Sequence, residues 1–134
     1  MPFLDRDGTS IHYEATGAGP LILFTHGFSS SGDAFTANLP AVVDAGFRPV
    51  TWDLRGHGAT DAGDDPSAYT VPLALGDMAA LLDVEGATGA VLAGHSLGGY
   101  LSLSFRIAHP ERVRALVDLF SFPREETAKV EKAR

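Results

Sequence analysis

Four short strand-like runs set the limits on what this chain can fold into: Leu21 to Phe24, Arg48 to Leu54, Ala90 to Ala93 and Val113 to Phe120. Leu21-Ile22-Leu23-Phe24 is apolar without a break, and the others read the same way. A strand with one face in water would alternate, so continuous runs predict strands covered on both faces. Helix-length stretches separate them. Val71, Leu75, Met78 and Leu82 recur at steps of four, three and four with Leu81 beside them, and Leu97, Tyr100, Leu101, Phe105 and Ala108 make a second stripe that stops at Pro110. Ser31 or Asp33 can cap a third helix running to about Asp44, with Gly46 to end it. Strands alternating with helices predict an α/β fold, a mostly parallel sheet with helices on both faces. One departure is expected at the start. Phe3-Leu4 and Ser10 to Ala15 flank Asp7-Gly8, a tight-turn pair, and predict an antiparallel hairpin.

With 134 residues the chain is sized for one domain. Its core is expected over residues 1–123. Seven of the eleven residues from Arg124 to Arg134 are charged, which predicts a solvated, frayed tail. Ten Lys and Arg against 17 Asp and Glu give a net charge of -7, which argues against nucleic acid or an anionic membrane as partner. Zero cysteines exclude a disulfide framework, a thiolate metal site and a cysteine nucleophile, and they fit a cytoplasmic protein. No apolar run is long enough to span a membrane, and Met1 to Asp7 has no signal-peptide pattern. No histidine pair has zinc-ligand spacing, no G-x-G-x-x-G opens a helix, and Gly94 to Gly99 lacks the Lys of a phosphate loop, so no metal or cofactor is expected.

The chemistry concentrates at Gly94-His95-Ser96-Leu97-Gly98, a G-x-S-x-G pattern. In a chain with 15 glycines the bare pattern is weak. Its setting is not, because Ala90 to Ala93 is strand-like and Leu97 to His109 helix-like. A serine in a sharp strand-to-helix turn is held in a strained conformation, and the turn needs small residues at both flanks. The helix that follows aims its first amides at the reacting centre, where negative charge would develop.

Two further motifs complete a resemblance. Thr25-His26-Gly27-Phe28 follows the first buried strand, and Asp53-Leu54-Arg55-Gly56-His57-Gly58 follows the next, with Thr60-Asp61 continuing it. In content, order and spacing the three motifs resemble the α/β-hydrolase family of the serine-nucleophile type. The resemblance covers the N-terminal half of a normal member, without its last strands and cap. It implies Ser96 as nucleophile, the backbone N–H groups of Phe28 and Leu97 as oxyanion hole, and His26, Gly27, Gly94, His95 and Gly98 as the frame of both turns. Serine at the nucleophile position sets the chain apart from the family's aspartate-nucleophile members, the haloalkane dehalogenases and epoxide hydrolases. Acyl transfer from a small ester, thioester, lactone or amide is the reaction class that serine implies.

The family orders its triad Ser, then Asp or Glu, then His. After Ser96 the only histidine is His109, thirteen residues on, about 18 Å along a helix axis. By the resemblance, the acid and the histidine follow strands that this chain does not contain. Among the other histidines, His26 and His57 are expected to hydrogen-bond and stiffen their loops, with a base role as the alternative. His95 is expected to pack behind the serine, and His12 to lie on the hairpin surface. Asp118 is an alternative acid, though it reads as mid-strand. Asp53 and Arg55 are expected to pair across their turn, Asp64-Asp65 to be solvated, and Trp52 to be core. Phe28 and Phe35 are alternatives for an apolar pocket wall or core. Three functional readings stay open: a serine hydrolase lacking part of its triad, a non-catalytic α/β-hydrolase-like binding protein, and an unassisted catalyst of slow acyl transfer. The outer edge of the strand at 113–120 is expected to leave the chain marginally stable, or to pair with a second copy or a complementing chain.

Overall fold

The computed structural model describes residues 2–119. The hairpin forms as expected, β1 (Phe3–Arg6) pairing antiparallel with β2 (Thr9–Ala15) around Asp7-Gly8, both at positive φ. The remaining strands are β3 (Leu21–Thr25), β4 (Arg48–Trp52), β5 (Ala90–His95) and β6 (Val113–Leu119). Their order across the sheet is β1-β2-β4-β3-β5-β6, with β2 antiparallel to β4 and all pairs from β4 to β6 parallel. The chain moves from β3 to one side and then crosses back to β5. That reversal opens a crevice at the carboxyl ends of β3 and β5, where open α/β sheets place their ligands.

Side chains of β3 divide between two faces with period two. Leu21 and Leu23 join Leu92, Val50 and Trp52 beneath Met78, Leu81 and Leu82 of α2 (Val71–Val84) and Leu101 and Phe105 of α3 (Leu97–Ala108). Ile22 and Phe24 face the other way, against Phe35 and the short α1 (Leu39–Asp44). The centre of the sheet is therefore covered on both faces, and every residue of β3 except Ile22 is buried. No helix among the described residues is long and apolar enough to cross a membrane.

Three expected elements differ in detail. The helix from Ser31 to Asp44 is split into a 3-10 segment, Gly32–Asn38, and α1. Ser31 caps the 3-10 segment by accepting from the Asp33 N–H, and Pro40, which has no N–H to give the preceding turn, stands at the start of the restarted helix. β4 stops at Trp52 rather than Leu54, because the Leu54 N–H turns away to the His26 ring. β6 is not covered on both faces. It forms the end of the described sheet, and Val117 and Leu119 are 44% and 46% exposed. The expected boundary at 123, the charged tail 124–134 and Phe120 lie outside the described residues.

Candidate active site at the carboxyl ends of β3 and β5

Ser96 sits between β5 and α3 with φ 54° and ψ -115°, a conformation that costs a non-glycine residue about 1–3 kcal/mol. Glycine supplies the room for it. A Cβ on Gly94 would overlap the Gly98 carbonyl, and one on Gly98 would overlap the Thr25 carbonyl. β5, the first turn of α3 and the end of β3 are thus in backbone contact around the serine. The Ser96 hydroxyl is not spent on capping α3, and the side chain is exposed. His95 is half-buried beside it.

Gly27 brings the second loop to the same place. A Cβ there would lie 3.2 Å from His95 Nδ1 and 3.3 Å from the Ser96 Cβ. Phe28, the next residue, is 76% exposed at the mouth of the crevice. No described hydrogen bond engages the N–H of Phe28 or of Leu97. A cavity of about 220 Å³ opens alongside, with Phe28, His57, Tyr69, Val71, Leu97 and Leu101 in its wall. Phe35, by contrast, is core, 5.0 Å from Phe24 between ring centroids.

The histidines are placed by hydrogen bonds that reach across the chain. His26 is fully buried, and its Nε2 accepts the Leu54 N–H at 2.9 Å. A backbone N–H can only donate, so Nδ1 carries the ring proton and gives it to the Gly27 carbonyl at 2.7 Å. Burial holds the His26 pKa below its ordinary 6.5, with His57 nearby adding to the effect against the Gly27 bond and Asp53, which oppose it. His57 repeats the pattern: Nε2 accepts the Ser29 N–H at 3.0 Å and Nδ1 lies 3.1 Å from the Arg55 carbonyl. Both rings therefore have their nitrogens committed within the loops. His109 caps the far end of α3 against Phe105.

Two expectations are corrected here. His12 is not on the surface. It is buried, and its Nδ1 meets Asp53 Oδ2 at 2.8 Å. Nor do Asp53 and Arg55 pair. Asp53 accepts the Gly32 N–H at 2.7 Å, the Ala59 N–H at 3.0 Å and His12. Burial alone would raise its pKa, but the bonds from Ala59, Gly32 and His12 outweigh it and hold the carboxyl below its ordinary value. Arg55 instead makes a two-point bond to Asp77 of α2, at 2.8 and 2.9 Å, and Arg6 of β1 adds a third contact at 3.1 Å. Asp77 was missed in the sequence although a signal existed. It stands midway between Leu73 and Leu81 at helical spacing, an acid on a core-facing stripe. Asp118 pairs with Gly94 across the sheet, and burial raises its carboxyl pKa. Asp65 caps the 3-10 turn Pro66–Ala68. No cluster of three or more metal-ligating side chains occurs among the described residues.

Comparison with known proteins agrees with this geometry. The epoxide hydrolase 2 of Siraitia grosvenorii is 37% identical over 116 residues, which are 87% of this chain and 37% of that protein. An epoxide hydrolase variant of Vigna radiata superposes with a TM-score of 0.85 at 34% identity, over 91% of this chain and 38% of that one. A structure from a study of carboxylesterases of Nitrososphaera gargenis matches 98% of this chain and 51% of its own, with a TM-score of 0.83 at 26% identity. The chain thus spans well under two thirds of these relatives. The family model for the alpha/beta hydrolase fold matches residues 20–125, which takes in the Gly27 loop, the Asp53 turn and the Ser96 elbow together, and the chain belongs to that family.

Proposed function

We propose that this chain is the nucleophile-bearing part of a serine hydrolase that acts on carboxylic esters or related acyl groups, with Ser96 as nucleophile and the Phe28 and Leu97 amides as oxyanion hole. The strained Ser96 backbone at the start of α3 carries the reading, since its hydroxyl is exposed and the Gly27 loop closes to within contact distance. Likeness to a structure from a study of carboxylesterases supports the substrate class. The rings of His26 and His57 are committed within their loops, and Asp118 stands within β6, so on this reading Ser96 reacts with an activated ester without help from these three groups. The absence of cysteine supports a cytoplasmic setting.

A second reading, epoxide opening, has the named relatives in its favour. Serine at the nucleophile position stands against it. Exposure of the chain to p-nitrophenyl acetate, with peptide mass spectrometry beside Ser96→Ala, separates the two. Acetyl transfer to Ser96 alone, absent in the variant, is the expected result. Scattered lysine acetylation with consumption of styrene oxide would replace the ester reading by the epoxide one.

We further infer that the isolated 134-residue chain pairs with a second copy through β6, whose outer side exposes Val117 and Leu119 at the end of the described sheet.

A further inference from the structure

We propose that His57 is a positioning residue for the oxyanion loop, acting through its bare Nε2 on the peptide that joins Phe28 to Ser29. This rests on the serine-hydrolase reading of Ser96. The Ser30 N–H closes a turn onto the Gly27 carbonyl at 3.2 Å, which puts Phe28 and Ser29 at the turn's two central positions. Ser29 has φ 63°, in the left-handed region where glycine is the usual occupant. A serine there is held against its own preference, by about 1–2 kcal/mol. In this turn the orientation of the central peptide decides between the observed conformation and the commoner one with negative φ at both centres. The atom that fixes that orientation is His57 Nε2, which receives the Ser29 N–H at 3.0 Å.

The arrangement is reciprocal. The Gly27 loop lends the His26 ring to the Leu54 N–H, and the loop carrying His57 lends that ring to the Ser29 N–H. The two imidazoles lie 5.0 Å apart between centroids, and the Phe28 and His57 rings form a T-shaped pair at 5.6 Å with an interplanar angle of 78°. Two stitches therefore bind the loops. The His26 stitch is buried beneath the site. The His57 stitch is at the cavity wall, one residue beyond the candidate oxyanion donor. Without the His57 bond the Phe28–Ser29 peptide is free to turn, and the loop that presents the Phe28 N–H keeps only the His26 stitch. Preorganisation of such a donor is what gives it catalytic worth.

The test compares His57→Asn with His57→Gln in the full 134-residue chain. Glutamine can place an amide oxygen where Nε2 stands. Asparagine reaches only the Nδ1 position. In His57→Asn, hydrogen exchange at the Ser29 amide is expected to quicken by about tenfold or more. The maximal rate of Ser96 acetylation by p-nitrophenyl acetate should fall by about 10- to 50-fold, with the half-saturating ester concentration changed by less than about threefold. His57→Gln should recover most of both losses, and equal melting temperatures for the two variants would exclude a general loss of fold. Unchanged Ser29 exchange in His57→Asn overturns the proposal. So does quickened exchange with acetylation unaltered, which would leave His57 a structural residue only. A wild-type chain that is never acetylated at Ser96 overturns the hydrolase reading and the positioning role with it, and is told apart because Ser29 exchange still follows the residue at 57.

Discussion

The elbow at Gly94–Gly98 and the loop at Asp53–Thr60 stand side by side at the end of the sheet, yet they are fixed by different physics. Sterics hold the elbow. Its glycines touch carbonyls of the next turn and of β3, and that close backbone packing surrounds Ser96 at φ 54°. The second loop is held by polar groups that converge from far along the chain: the His12 ring and the Gly32 N–H on Asp53, His26 on the Leu54 N–H, and Asp77 on Arg55. A steric device fails all at once when an atom is added. A polar network should lose strength bond by bond and respond to pH.

Four changes would break or sharpen that contrast. Gly98→Ala should have the largest effect, because the added carbon overlaps the Thr25 backbone carbonyl rather than a movable side chain. A loss of at least about 4 kcal/mol, or no folded protein at all, is expected in urea unfolding. A mild cost would mean that the elbow relaxes and that sterics do not rule it. Asp53→Ala strands two backbone amides and His12, and should cost about 3 kcal/mol while leaving a cooperative transition. Thermal unfolding reads it, and a change under about 1 kcal/mol would refute the network account.

His26 supplies a smaller, pH-dependent effect. Its folded pKa is depressed below 6.5, so at falling pH the unfolded chain takes up a proton before the folded chain does. Stability from this group is complete above 6.5 and is lost as pH falls through that value toward the lower folded pKa. Denaturant midpoints measured downward from neutral pH should decline over that window, and the decline should be absent in His26→Asn. Val117→Lys touches neither region and should alter stability least, by about 0.5 kcal/mol or less. It places a charge on the open edge strand, so it should shift the chain from self-associated to monomeric in sedimentation. A monomeric wild type would remove the self-pairing inference and leave the comparison intact.

Much of the fold was legible because its signals are local. Leu21 to Phe24 announced the central strand, Asp7-Gly8 the hairpin, and the stripes from Val71 and Leu97 the two long helices. The errors have one origin. β6 reads as a strand like β3 although it carries Arg114 and Asp118, and at the end of the described sheet its Val117 is left exposed. His12 looked like a surface residue of a hairpin because its partner, Asp53, is 41 residues away. Asp53 and Arg55 looked like a pair because they are near neighbours, whereas each takes its partner from a distant element, His12 of β2 and Asp77 of α2.

The sequence by itself determined the strands, the two long helices and the elbow, since spacing, hydrophobic period and glycine sterics act within a few residues of chain. Tertiary structure alone decided where the polar groups went. The His12–Asp53 and Arg55–Asp77 pairs, and the two imidazoles that stitch the Gly27 loop to its neighbour, depend on which strands lie adjacent. A buried donor or acceptor takes whichever complementary group the packing brings within about 3 Å, and sequence distance does not enter that choice.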